Sequence, residues 1–114
     1  MNPDWVIMEP TGEADISYLK HKVIDNLSFI EKHVTITLID PLRHFMLLEM
    51  MTPLLKAQVG SADVLAINKI DMVSTNEVGR IVKSLKEMME EMIPVAVISA
   101  EKQTSLPELL KGIN

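Results

Sequence analysis

The sequence has no cysteine. Disulfides and thiolate metal sites are therefore excluded, and a reducing compartment such as the cytoplasm is compatible with the absence. Aromatic residues make up only 4% of the chain, so aliphatic side chains and nine methionines must fill the core. No apolar run approaches the ~20 residues of a membrane span. The opening Met1-Asn2-Pro3-Asp4 lacks the basic-then-apolar order of a secretory signal. Lysine and arginine form no cluster and the net charge is −5, which argues against a nucleic-acid polymer as partner. Glycine occurs at positions 12, 60, 79 and 112 only, and none of the four precedes a lysine.

What is present suits one globular domain, residues 1–114. Hydrophobic residues are 47% of the chain, too many for a disordered segment. A chain of this length buries roughly two-thirds of its unfolded surface, enough for a core without staples.

The most informative stretch is Asp63 to Asp71, DVLAINKID. Val64 to Ile67 is a short uncharged run bounded by polar residues, the pattern of a strand buried on both faces of a parallel sheet. Ligands of such sheets bind beyond the carboxyl ends of the strands, where Asn68, Lys69 and Asp71 fall. A carboxylate accepts two adjacent hydrogen bonds, and guanine offers two adjacent donors. Adenine presents a bare acceptor at the matching ring nitrogen and would be repelled. An Asn amide both donates and accepts along a purine edge, and a Lys stem covers a ring face while its ammonium stays wet. The plainer reading of the same residues is a polar loop after a strand.

The remaining chain alternates. Trp5-Val6-Ile7-Met8 reads as a strand ending in Glu9-Pro10-Thr11-Gly12, where Gly12 would let a backbone approach a ligand. Those four residues also read as a Pro- and Gly-containing turn. Ala14 to Lys32 is mostly helical by the spacing of Ile16, Leu19, Val23, Leu27 and Ile30. Val34 to Ile39 is a β-branched strand. Asp40-Pro41 then opens a helix, and Asp40 reads either as its cap or as a site carboxylate. That helix runs from Leu42 to Val59 with a break at Thr52-Pro53. Ser74 and Glu77 form a capping box ahead of a helix reaching Met92. Val95 to Ile98 is a fourth strand ending in Ser99-Ala100, and Ser105 to Ile113 a closing helix. Strands alternating with helices mean an α/β fold, a parallel sheet covered by helices with right-handed crossovers.

Four strand-end loops therefore share one edge, and here the sequence resembles a known family. Asn68-Lys69-Ile70-Asp71 followed by Ser99-Ala100 is similar to the guanine-recognition motifs of GTPases. VIMEPTGEAD resembles the Glu-x-Thr-Gly-x-Ala-Asp motif of the CobW group, in the metal-homeostasis GTPases that include UreG and HypB. VTITLID and QVGSADVLAINKIDMV resemble the next two family strands. The resemblance implies a four-stranded partial P-loop NTPase fold, the C-terminal portion of a GTP-binding domain, whose ligands are GTP or GDP with Mg2+. Asn68 and Asp71 would read the guanine edge and Lys69 would cover its face. Ala100, after Ser99, would offer its N–H to the guanine oxygen, with Lys102 on the ring's other side. Glu9 would act near the Mg2+ and the attacking water as the catalytic and metal-side residue, and Gly12 would meet the terminal phosphate. For Asp40 the resemblance implies no role beyond the phosphate end of the site.

The departures carry equal weight. The family's G-x-x-x-x-G-K-[ST] phosphate loop is absent, as the glycine positions show. Ile16 stands where the family often has Pro, and the last loop lacks a frequent Gly. In the family's sheet the phosphate-loop strand lies between the strands matching residues 5–9 and 34–40, so its absence would leave open inner edges. The implied partners are a guanine nucleotide, a chain bearing the phosphate loop or a second copy of this one, and a client metalloprotein. The chain alone is expected to hydrolyse little or no GTP. The alternative is a non-catalytic interaction module that binds a protein and no nucleotide.

Overall fold

The computed structural model describes residues 4–10, 16–27, 29–100 and 102. The chain divides into two units, Met1–Ile30 and Glu31–Asn114. The expected closing helix at 105–113 lies outside the described residues.

In the first unit, α1 spans Ile16–Asn26. It is shorter than its apolar spacing suggests. Asn26 closes it, its side-chain amide donating to the Lys22 carbonyl at 2.7 Å. An Asn competes well for such backbone groups at helix ends. The expected strand Trp5–Met8 is not formed: these residues carry no regular structure, and Trp5 is 68% and Ile7 92% exposed. The reason is physical. A strand needs a neighbour for its N–H and C=O groups, and no second strand occurs among the described residues of this unit.

The second unit holds β1 (Ile36–Ile39), α2 (His44–Met50), α3 (Thr52–Gly60), β2 (Val64–Ile67), a 3-10 turn (Ile70–Met72), α4 (Thr75–Met88) and β3 (Val95–Val97). The sheet is parallel with order β1-β2-β3, so among the described residues it has three strands where the sequence suggested four. Ile36 pairs with Val64 and Leu65 with Val95. β2 is central and buried along its whole length, as its uncharged run predicts. Side chains alternate across the sheet. Ile39, Leu65 and Ile67 join Val59 of α3 and Ile81 and Leu85 of α4 in the main core. Val64 and Ala66 form a second cluster with Ile98 on the other face. Full burial of a Leu or Ile side chain contributes about 1.5–3 kcal/mol, so β2 is where stability is concentrated.

The start of the β1–β2 pair is pinned by Asp63. Its N–H donates to the Thr35 carbonyl at 2.8 Å, and its carboxylate accepts from the Thr35 N–H at 2.7 Å. The far side of β1 has no neighbouring strand among the described residues, and Leu38 there is 64% exposed.

Helix ends refine the sequence reading. Asp40 does not cap α2, which begins at His44 behind Arg43. It closes a turn instead: its Oδ1 accepts from the Leu42 N–H at 3.0 Å and its carbonyl from Arg43 at 3.1 Å. The break expected near Thr52-Pro53 is present and falls at Met51, φ −135° and ψ 45°, which ends α2 and precedes α3. Pro53 sits in the first turn of α3, where its missing N–H has no intrahelical partner to lose. Thr52 is no cap, however; its hydroxyl turns back to the Leu48 carbonyl. Ser74 caps α4 by accepting from the Glu77 N–H at 3.2 Å, while the Glu77 carboxylate pairs with Arg80 at 2.7 Å. α4 stops at Met88, short of Met92. Glu90 and Glu91 would sit at the negative end of a longer helix dipole, which disfavours extension.

Candidate functional site

The carboxyl ends of three parallel strands bring three loops together, and hydrogen bonds join them. The loop after β2 carries the informative motif. Asn68 continues the β1 ladder, its N–H donating to the Ile39 carbonyl at 3.1 Å. Lys69 then adopts a left-handed backbone, φ 59° and ψ 32°, alone among the described non-glycine residues. That conformation costs roughly 1–2 kcal/mol for a residue with a Cβ. It reverses the chain into the 3-10 turn, where the Met72 N–H meets the Lys69 carbonyl at 2.9 Å.

Two side chains of this loop are held by the end of β3. Ser99 is 1% exposed, and its hydroxyl donates to Asp71 Oδ1 at 2.9 Å. The same hydroxyl accepts from the Lys102 N–H at 3.3 Å. Each carboxylate oxygen has two lone pairs, so this bond leaves Asp71 able to accept two further donors side by side. Asn68 Oδ1 accepts from the Ala100 N–H at 2.8 Å. That N–H is the donor assigned to a guanine oxygen, and here Asn68 already takes it. A base carbonyl would have to share or displace this bond.

On the β1 side, Lys69 Nζ lies 3.4 Å from Asp40 Oδ2, with both side chains partly exposed. An ion pair so placed contributes about 0–1 kcal/mol to stability.

Of the residues singled out from sequence, Asn68 and Ala100 thus form one bonded pair and Asp71, Ser99 and the Lys102 backbone a second bonded set, joining the same two loops. Glu9 lies in the first unit, exposed in a stretch without regular structure. Gly12 lies outside the described residues. No three His, Cys, Asp or Glu side chains cluster as a metal cage among the described residues. The described residues therefore offer Mg2+ no cage of their own.

The sequence reading missed two features. Ser99 acts as a buried hub, which a Ser-Ala dipeptide does not announce. Asp40 reaches Lys69, and the available signal was that both follow strands ending on the same edge. Away from this edge, His44 is 1% exposed, with Nε2 2.8 Å from Ser84 Oγ and Nδ1 without a partner. Burial pushes its pKa below the ordinary 6.5.

No helix among the described residues is long and apolar enough to cross a membrane. Searches among curated proteins and among solved structures found no match. Comparison with protein-family models matches residues 1–97 to the CobW/HypB/UreG nucleotide-binding domain. The three-stranded parallel sheet and its helices are in keeping with a partial α/β P-loop NTPase fold. With 97 of its 114 residues matched, the chain belongs to the CobW/HypB/UreG family of nucleotide-binding domains.

Proposed function

We propose that this chain is the base-recognising portion of a guanine-nucleotide-binding domain in a GTPase that serves metal-cofactor insertion. The observation that carries the proposal is the Ser99–Asp71 bond at 2.9 Å, which orients a carboxylate at the carboxyl edge of the sheet. An oriented carboxylate selects guanine over adenine by the donors it meets. Asn68 and Asp71 read the base edge, Lys69 and Lys102 flank its faces, and Ala100 offers its N–H. Glu9 acts on the water side of the terminal phosphate beside Mg2+, and Gly12 meets that phosphate through its backbone. Mg2+ on a nucleotide takes most of its ligands from phosphate and water, so a single carboxylate is an adequate protein contribution.

Residues 1–114 form the C-terminal portion of this domain, and the phosphate-holding loop comes from another chain or segment. The side of β1 that has no neighbouring strand among the described residues supports that reading, because an unpaired strand edge is a template for a further strand. Without that loop the chain alone hydrolyses little GTP. Its client is a metalloprotein, and its place of action the cytoplasm.

A second reading, a non-catalytic interaction module, is favoured by the Asn68–Ala100 bond, which occupies a base-binding donor. Calorimetric titration with GDP and with ADP, Mg2+ present, separates the two. Binding of GDP alone, lost on Asp71→Ala, is the expected result. Binding of neither by the folded chain would favour the interaction module. Robust GTP turnover by the chain alone would overturn its dependence on a supplied loop.

A further inference from the structure

The loop after β2 is braced on both sides, and only one brace has no assigned purpose. Toward β3, Asn68 and Asp71 are held by Ala100 and Ser99, and the Ile70 N–H reaches the Ile98 carbonyl at 3.3 Å. Toward β1, the side-chain brace is Asp40 on Lys69. Asp40 is itself fixed. Its Oδ1 takes the Leu42 N–H, its carbonyl takes the Arg43 N–H, and the buried Pro41 that follows locks the intervening backbone. Its second oxygen, Oδ2, is the one that meets Lys69.

The Lys69 side chain is therefore anchored at both ends. The left-handed turn sets its Cα, a conformation that Gly or Asn adopts with less strain. A lysine kept there points to work for the side chain. Asp40 sets its ammonium. The four methylenes between these anchors span from the end of β2 toward the end of β1, on the loop that also carries Asn68 and Asp71.

We infer that Asp40 is a positioning residue, holding Lys69 extended so that its stem forms one wall of the base site. The inference rests on the guanine reading above for what that wall receives. The brace itself does not depend on that reading. Asp40 acts through Lys69 and touches no nucleotide in this scheme.

Asp40→Asn is the discriminating variant, because an amide oxygen still accepts from Leu42 while the charge facing Lys69 is gone. The experiment compares wild type, Asp40→Asn, Asp40→Glu, Lys69→Met and the Asp40→Asn/Lys69→Met double variant. GDP is titrated into isotope-labelled protein and the amide resonances of residues 68–72 are followed. Asp40→Asn weakens GDP binding about threefold, the size expected of a partly exposed charge pair. The double variant is no weaker than Lys69→Met alone, since Lys69→Met already removes the ammonium through which Asp40 acts. Asp40→Glu restores most of the affinity, and thermal midpoints stay together. In nucleotide-free protein, Asp40→Asn and Lys69→Met each speed hydrogen exchange at the Met72 N–H, while the β2 amides stay protected. Equal GDP affinity of wild type and Asp40→Asn, or losses that multiply in the double variant, would overturn the inference. If wild type binds no GDP, the guanine reading fails and the exchange measurement decides for Asp40. Faster exchange at Met72 then sustains the brace, and unchanged exchange removes it.

Discussion

Two stretches of this chain look alike on paper and differ in the folded molecule. Trp5-Val6-Ile7-Met8 and Val64-Leu65-Ala66-Ile67 are both four-residue apolar runs followed by a polar loop with a carboxylate. The second is buried along its length between two parallel neighbours, and its loop is held by side chains that follow β1 and β3. The first is exposed and pairs with nothing among the described residues of its unit. An apolar run states a willingness to be buried, and only partner strands turn it into structure. Carboxylates follow the same rule: Asp71 is oriented by Ser99, whereas Glu9 sits in an exposed stretch without regular structure.

The sharpest way to break this comparison is truncation on both sides of it. Leu65→Ala should cost about 2–5 kcal/mol of stability, because it removes fully buried methyl groups and leaves a cavity. Urea unfolding measures this directly, and a loss under 1 kcal/mol would mean that β2 is not the centre of the core.

Acid sharpens the comparison further, because the second unit carries a buried histidine. The unfolded chain protonates His44 near 6.5, and the folded chain only at lower pH. Between those values the unfolded state binds more protons, so stability rises with pH. It is complete above 6.5 and falls as pH drops from there toward the folded value. Urea midpoints measured across this range should decline in wild type and flatten in His44→Gln. A decline that persists unchanged in the variant would place the acid sensitivity elsewhere.

The smallest effect belongs to the first stretch. Ile7→Ser should change stability by no more than about 0.5 kcal/mol, the usual range for exposed positions. A large loss in the isolated chain would mean that this run is buried in solution.

Much of the second unit was legible in the sequence because its signals are local and mutually consistent. β2 is bounded by Asp63 and Asn68 as its uncharged run suggests, Ser74 caps α4, and the helical stretch before β2 breaks at Met51, next to Thr52-Pro53. The strand-end loops share an edge because parallel strands impose it. Where the reading failed, the deciding force was not local. Trp5–Met8 has no partner strand among the described residues of its unit, a fact about other residues. Asp40 resembled a helix cap, since Asp followed by Pro usually opens a helix, yet its carboxylate is drawn into a turn and toward Lys69. The Asn68–Ala100 bond joins loops 32 residues apart and leaves no trace in either dipeptide.

The sheet's register carries a consequence for how this edge comes into being. Ile36 meets Val64 and Leu65 meets Val95, so the two ladders join residues 28 and 30 positions apart with helices between them. Such non-local pairings form late and cooperatively, after the entropy of closing long loops has been overcome. Ser99 can orient Asp71 only once β3 has docked on β2, and Asn68 can reach Ala100 only then. During refolding these bonded loop residues should therefore assemble in the final step, together with β3. Any ligand that recognises them acts as a reporter of the completed fold and is blind to its precursors.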